Sequence, residues 1–339
     1  MRRHRCRICY LEWEPFPLST GASPMYARRR SLAAHRTPLP AAPVVIAGVA
    51  VALLALTGCA SSDKAPVADS TKALKVVTST NVWASVVSAV GGDKVNVSAV
   101  LSDPSADPHS FEATPAVVLD LSKADLILVN GGGYDDWALT TIASLPAAPP
   151  VLNAVDLSGL DTGEGFNEHV FYDLDSVELI ANKVAAELSA LAPADGPTFT
   201  ANATAFTAGL TALKTRAAAV GADHPGTKAI ATEPVAGYLL ADIGLQDVTP
   251  AGFSQAVEAD AEVSVKDLAD TKNLLSTKSA ALLFNNIQTS GPVTDELVAA
   301  AKAAGAGVIG VTETLPAGIT GYTVWIAGTV DAVSAALNA

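Results

Sequence analysis

Cysteine is nearly missing from this chain: three residues in 339, at positions 6, 9 and 59. Beyond Cys59 there is none, so that part of the chain can form no internal disulfide, and its stability has to come from apolar burial helped by any bound ligand. Arginine is equally scarce; beyond residue 36 only Arg216 remains. That disfavours an arginine-lined cleft of the kind a siderophore or haem receptor would use. Histidine occurs five times, and only His109, His169 and His224 lie beyond Cys59. No H-E-x-x-H is present, which argues against a zinc hydrolase. The run Gly131-Gly132-Gly133 lacks both the Lys-Ser/Thr of a phosphate loop and the spacing of a dinucleotide fingerprint, and reads instead as a strand-to-helix turn. Positive charge is short as well. Past residue 58 there are 13 basic against 32 acidic residues, a net −19 within a whole-chain −13. Such acidity excludes a nucleic-acid partner, whose phosphates need basic patches, and suits a surface that attracts cations.

What is abundant is apolar material: 50% of residues are hydrophobic and 16% charged, enough for a large core and no sign of global disorder. The N-terminal segment has its own logic. Arg28-Arg29-Arg30 precedes "AAPVVIAGVAVALLALTGC", an apolar run of signal-peptide length that is too short for a comfortable membrane span. It closes on Leu56-Thr57-Gly58-Cys59, which resembles a bacterial lipoprotein signal box with Cys59 as the lipidated residue. The expectation is a leader over 1–58 and a small, polar tether over 59–73. Residues 1–24 fit neither and are expected to be a start-site error, with translation beginning at Met25. Cys6 and Cys9 form a lone C-x-x-C inside that stretch.

Beyond the tether, short β-branched runs alternate with helical patterns. "ALKVVTST", "KVNVSAVL", "DLILVN" and "PVLNAV" read as strands, and "TPAVVLDLSKA" as a helix with Thr114 as N-cap and Pro115 in its first turn. From Asp175 the pattern turns helical. "SVELIANKVAAELSALAPAD" stops at Pro193, and a second helix of roughly 24 residues, about 36 Å long, places Phe199, Phe206, Leu210, Leu213 and Ala217 near one face. Strands resume at "KAIATE", "AALLFNN" and "GVIGVTE". The predicted architecture is α/β: two parallel-sheet lobes, 74–175 and 223–339, joined through a helical segment 176–222 that carries one long rigid helix. No internal repeat stands out.

Chemistry concentrates in two loops. "DPSADPHSFEATP" sets His109 among prolines and acids; by itself it is either a solvated surface loop or a stiff loop aiming a nitrogen at a metal. "FNEHVFYDLD" sets His169 just before a helix. In open α/β sheets such loops gather at the carboxyl ends of the strands, where ligands bind. "DPHSFEATP", "ADLILVNGGGYDDW" and "NEHVFYD" together resemble the zinc- and manganese-binding lipoproteins of bacterial ABC importers, over nearly all of residues 74–339. Phe171 stands where that family usually has tryptophan.

The resemblance implies His109 and His169 as metal ligands from the first lobe. In the second lobe it implies Glu233, in "IATEPVAGYLL", and Glu313, in "GVIGVTETLP", the latter where an aspartate is usual. Asp107, Glu112 and Asp173 are candidates for orienting the imidazoles. Two neutral imidazoles and two carboxylates balance a divalent ion, and an N/O set without thiolate suits Zn²⁺ or Mn²⁺ rather than Cu(I). The stretch between the histidines has no His-rich loop, which keeps manganese open beside zinc. Four protein ligands leave no position for an activated water, so the expectation is capture and not catalysis. The implied partners are a membrane permease and its ATPase, with the chain held to the membrane by its lipid. The alternative is a surface adhesin or interaction lipoprotein that keeps a metal for structure.

Overall fold

The computed structural model describes residues 72–103, 108–163 and 165–339. The leader 1–58 with its 1–24 extension, Cys59, nearly all of the 59–73 tether, and Asp107 lie outside the described residues.

The first lobe runs β1 (Leu74–Thr80), α1 (Asn81–Gly91), β2 (Val95–Leu101), α2 (Pro115–Ser122), β3 (Leu126–Val129), α3 (Asp136–Ala143), β4 (Val151–Asn153) and α4 (Ala154–Ser158). Two long helices follow, α5 (Leu174–Leu191) and α6 (Gly196–Asp223). The second lobe runs β5 (Lys228–Ala231), α7 (Gly237–Ile243), β6 (Gln246–Asp247), α8 (Ala251–Glu258), α9 (Val265–Ser276), β7 (Leu282–Asn286), α10 (Pro292–Ala304), β8 (Gly307–Val311) and α11 (Tyr322–Leu337). All pairings are parallel, and the strand orders are β2-β1-β3-β4 and β6-β5-β7-β8. Both sheets thus share one winding that the two lobe sequences do not display. The α/β expectation holds. β6 is only two residues long, and the sequence leaves 244–276 unassigned.

Local chemistry explains the elements. β3 and β7 are buried along their whole length, as strands covered by helices on both faces must be. The Thr114 hydroxyl accepts the Val117 amide at 3.4 Å and Pro115 opens α2, as expected. α6 spans 28 residues, about 42 Å, and its predicted stripe from Phe199 to Ala217 is buried. This helix packs on α1 and α5 and also on α7 and α11. One apolar cluster therefore runs from Val76 and Trp83 of the first lobe through Leu210 to Phe284 and Trp325 of the second. The approach of α6 to α7 is so close that a Cβ on Gly221 would collide with the Ile243 carbonyl oxygen. Arg216 pairs with Asp331 across α6 and α11. No described helix is long and apolar enough to cross a membrane.

Two glycines of α6 generate opposite expectations. Gly221→Ala forces helix against helix and lowers stability. Gly209 faces solvent with only a methyl of Thr323 at 3.8 Å, so Gly209→Ala raises stability by about 0.5–1 kcal/mol through helix propensity. Urea midpoints of the two variants check the contrast.

Candidate metal centre

Three of the four loops that carry candidate ligands leave the carboxyl end of a strand directly, and the fourth follows a short helix after one. His109 follows β2, His169 follows β4 and α4, Glu233 follows β5, and Glu313 follows β8. The first lobe orients its imidazoles by packing and hydrogen bonds. Tyr134 is fully buried and meets His109 and His169 edge-on, with ring centroids 5.1 and 5.7 Å away. Its loop is the Gly131-Gly132-Gly133 run. All three glycines have positive φ, and a Cβ on Gly131 would strike Asn153. The buried Asp135 carboxylate accepts the Asn130 and Gly131 amides, both at 2.7 Å, and fixes that turn. His169 is fully buried; its Nδ1 lies 2.7 Å from Asn167 Oδ1, which also accepts the His169 amide at 3.1 Å. Because an amide oxygen only accepts, Nδ1 carries the proton in the neutral ring and the Nε2 lone pair faces the cleft. Asn167 is held in turn from the second lobe: its Nδ2 donates to the Pro234 carbonyl at 2.8 Å, and Tyr238 Oη donates to its carbonyl at 2.7 Å. Phe171, in the place of a tryptophan, packs edge-on to His169 and against Trp325.

In the second lobe a buried amide organises the acids. Asn286 Nδ2 donates to Glu313 Oε1 at 2.7 Å and to Glu233 Oε2. The other Glu233 oxygen accepts from the Thr289 hydroxyl. Gln288 Oε1 accepts the amides of Glu313 and Thr314, pinning the loop after β8. Tyr134 and Tyr172 of the first lobe donate to the carbonyls of Glu313 and Thr312 at 3.2 and 2.8 Å. These bonds close the cleft around Glu313.

The resulting constellation is compact. Glu313 Oε2 lies 3.8 Å from Nε2 of both His109 and His169. A further acid joins them: Glu258, the last residue of α8, places Oε1 3.7 Å from His109 Nε2 and 3.6 Å from His169 Nε2. His109, His169 and Glu258 each offer a ligand atom within 4.8 Å of the others. Three buried atoms of this group, His169 Nε2, Glu258 Oε2 and Glu313 Oε2, have no hydrogen-bond partner among the described residues. Orphaned buried acceptors are costly, and a cation between them is what would satisfy them. The adjoining cavity of about 850 Å³ is lined by acids including Glu168, Glu233 and Asp260, and by residues 289–293.

The charges in this pocket shift one another. Burial pushes the Glu258 carboxyl up to about 7; the nearby His169 opposes this, and Glu233 and Glu313 add to it. Burial also lifts Glu233, against the bonds from Thr289 and Asn286. For His169 burial acts to lower the pKa, but the facing Glu313 and the charge on Glu258 outweigh it and the net direction is up. Glu313 is lowered, because His169 and then His109 overcome its burial.

The decisive comparison is with families. A sequence model of the family described as the zinc-uptake complex component A, periplasmic, matches residues 76–336. The chain belongs to that family. Among curated proteins of this kind, a metal ABC transporter substrate-binding lipoprotein, ScbA, of Streptococcus cristatus is 27% identical over 52% of this chain and 61% of its own length. The manganese-binding lipoprotein MntA of Bacillus subtilis is 26% identical over 77% of this chain and 86% of its own. This chain thus spans about three-fifths of the first relative and most of the second. The fold matches the periplasmic zinc-binding protein TroA of Treponema pallidum at a TM-score of 0.66 and 21% identity, over 78% of this chain and 99% of that one.

Of the residues that the sequence singles out, the structure brings His109, His169 and Glu313 to one point. Glu233 lies beside them, tied to Asn286 and Thr289. Asp173 caps α5, accepting the Asp175 amide at 3.3 Å and the Ser176 hydroxyl, and no bond joins it to an imidazole among the described residues. Glu112 is exposed. The residues that orient the imidazoles and acids are instead Asn167, Tyr134, Asn286 and Gln288. Asn286 has a sequence signal, a polar pair ending an apolar strand in "AALLFNN". Glu258, in "SQAVEADAEV", has none, since an acid near the end of a short helix reads as solvated.

A pH dependence follows. Both His169 and Glu258 bind protons more tightly folded than unfolded. The His169 contribution is complete below the unfolded imidazole value of about 6.5 and is lost as pH rises through the higher folded value. The cost of burying ionised Glu258 begins above its ordinary 4.5 and is complete above about 7. The metal-free chain is therefore expected to melt at a lower temperature at about pH 8 than at about pH 5.5, by differential scanning fluorimetry in excess chelator, and less steeply so in Glu258→Gln. Identical melting at both pH values in the wild-type chain would show that these groups are not linked to folding.

Proposed function

We propose that the chain is an extracytoplasmic receptor that captures one Zn²⁺ or Mn²⁺ ion between its two lobes and delivers it to a membrane permease driven by an ATPase. The observation that carries this reading is the meeting of His109, His169 and Glu313 at a point where three buried acceptor atoms lack a hydrogen-bond partner among the described residues. Imidazole with carboxylate suits either metal, and the absence of cysteine from the described residues removes the softer choices. Anchoring by a lipid on Cys59 belongs to the same proposal and agrees with the lipoprotein names of its relatives.

The chemistry is binding and release. The first lobe gives two neutral nitrogens, one of them fixed as an acceptor by Asn167. The second gives carboxylates whose charge neutralises the ion. A site filled by protein ligands leaves no water to activate, which supports capture over hydrolysis. Because ligands come from both lobes, a displacement of one lobe by about an ångström breaks the set, and acidification weakens it by protonating imidazole and carboxylate.

Elemental analysis after loading and gel filtration tests the reading. One ion per chain is expected, and His169→Ala is expected to lose it. An ion in about hundredfold excess over Kd raises stability by about 2.7 kcal/mol. A wild-type chain that retains no divalent ion, and melts alike with chelator and with zinc or manganese, removes the receptor. Loss of cellular metal uptake on deletion of the gene separates transport from a structural metal in an adhesin.

A further inference from the structure

We infer that Glu258, supplied by α8, is a direct ligand of the captured ion and takes the second-lobe position that the family resemblance gives to Glu233. The inference rests on the receptor reading and goes beyond it in naming the ligand and the element that delivers it.

Geometry separates the two acids. For metal–ligand bonds of about 2.1 Å, ligand atoms around a tetrahedral ion lie roughly 3.4 Å apart. Glu258 Oε1 lies 3.6 and 3.7 Å from the two imidazole Nε2 atoms, so an ion between them needs only small adjustments. Glu233 has both oxygens engaged, one by Asn286 and one by Thr289. Reaching the imidazoles would cost those bonds inside a buried pocket, where an unpaired amide is expensive. Glu258 Oε2, by contrast, is buried with no partner among the described residues, as are His169 Nε2 and Glu313 Oε2, whose side chains are 0% and 5% exposed. The unfilled valences of the pocket therefore point at Glu258 and away from Glu233.

The local backbone says the same. Glu258 ends α8, where the helix dipole disfavours a carboxylate. Two residues later Asp260 adopts φ +49, in the left-handed region that favours glycine. The Asp260 amide donates to the Val257 carbonyl at 3.0 Å and the Ala261 amide to the Ala256 carbonyl at 2.8 Å, so this turn is a closed helix stop built without glycine. A carboxylate at a helix C-terminus and a helix stop without glycine thus sit side by side, and both Glu258 and Asp260 line the cleft. α8 itself is seated by Phe253, fully buried in the second-lobe cluster with Ile230 and Leu283. Each lobe then supplies two ligands: His109 and His169 from the first, Glu258 and Glu313 from the second.

The test is X-ray absorption and crystallography of the zinc-loaded wild-type chain, with zinc titrations of Glu258→Gln and Glu233→Gln against a chromophoric chelator. A Glu258 oxygen about 2.0–2.2 Å from the ion is expected, with the Glu233 bonds to Asn286 and Thr289 intact. Glu258→Gln is expected to weaken zinc binding at least about tenfold, while its metal-free circular dichroism matches wild type. An ion bound by Glu233, with Glu258 turned to solvent, overturns the assignment. So does wild-type affinity in Glu258→Gln. Neither of those results touches the receptor reading, whereas a wild-type chain that takes up no zinc or manganese ends both. Should Glu258→Gln fail to fold, the wild-type coordination distances alone decide.

Discussion

Carboxylates taken out of water are costly to keep ionised, and that cost shapes this site. Glu233, Glu258 and Glu313 converge within one pocket, and burial raises two of them while imidazoles hold the third down. Protons relieve the strain in part by occupying Glu258 and His169. A divalent cation relieves it more fully, because it satisfies oxygen and nitrogen lone pairs at once. Folding stability, pH response and ligand choice are therefore three readings of one electrostatic imbalance.

The rest of the structure keeps that imbalance in place. Two sheets with the same winding direct their carboxyl-end loops into one cleft, and α6 joins them through a continuous apolar cluster. The rigidity is practical: ligand atoms must stand within a few tenths of an ångström of their places, and loops alone do not provide this. Here Asn167 fixes an imidazole, Asn286 fixes two carboxylates, and Gln288 fixes the backbone of Glu313.

Much of this is legible in the residues. Alternating β-branched runs and helical spacings give the two-lobed α/β frame and the long helix, because those elements are buried by their own periodicity. His109 and His169 stand out because histidine is rare and their flanking motifs are specific. Glu258 does not, because its place in the pocket depends on a turn at Asp260 and on the seating of Phe253, which are tertiary facts without a local pattern. Asp173 misleads for a related reason: an acid four residues after a histidine is as well placed to cap the next helix as to hold the ring, and only the backbone direction decides. The shared strand order of the lobes is hidden because parallel sheets constrain burial more than residue identity.

The tyrosine bonds to the backbone at Thr312 and Glu313 join two properties of the molecule. The same short stretch of main chain presents an acid to the pocket and receives the hydroxyls that tie one lobe to the other. In the proposed reading, grip on the cargo and adhesion between the halves are thus mechanically in series. A membrane partner that pried this seam apart would then loosen the ion in the same stroke, and an empty pocket would leave the seam easier to pry, as reciprocity between linked equilibria requires.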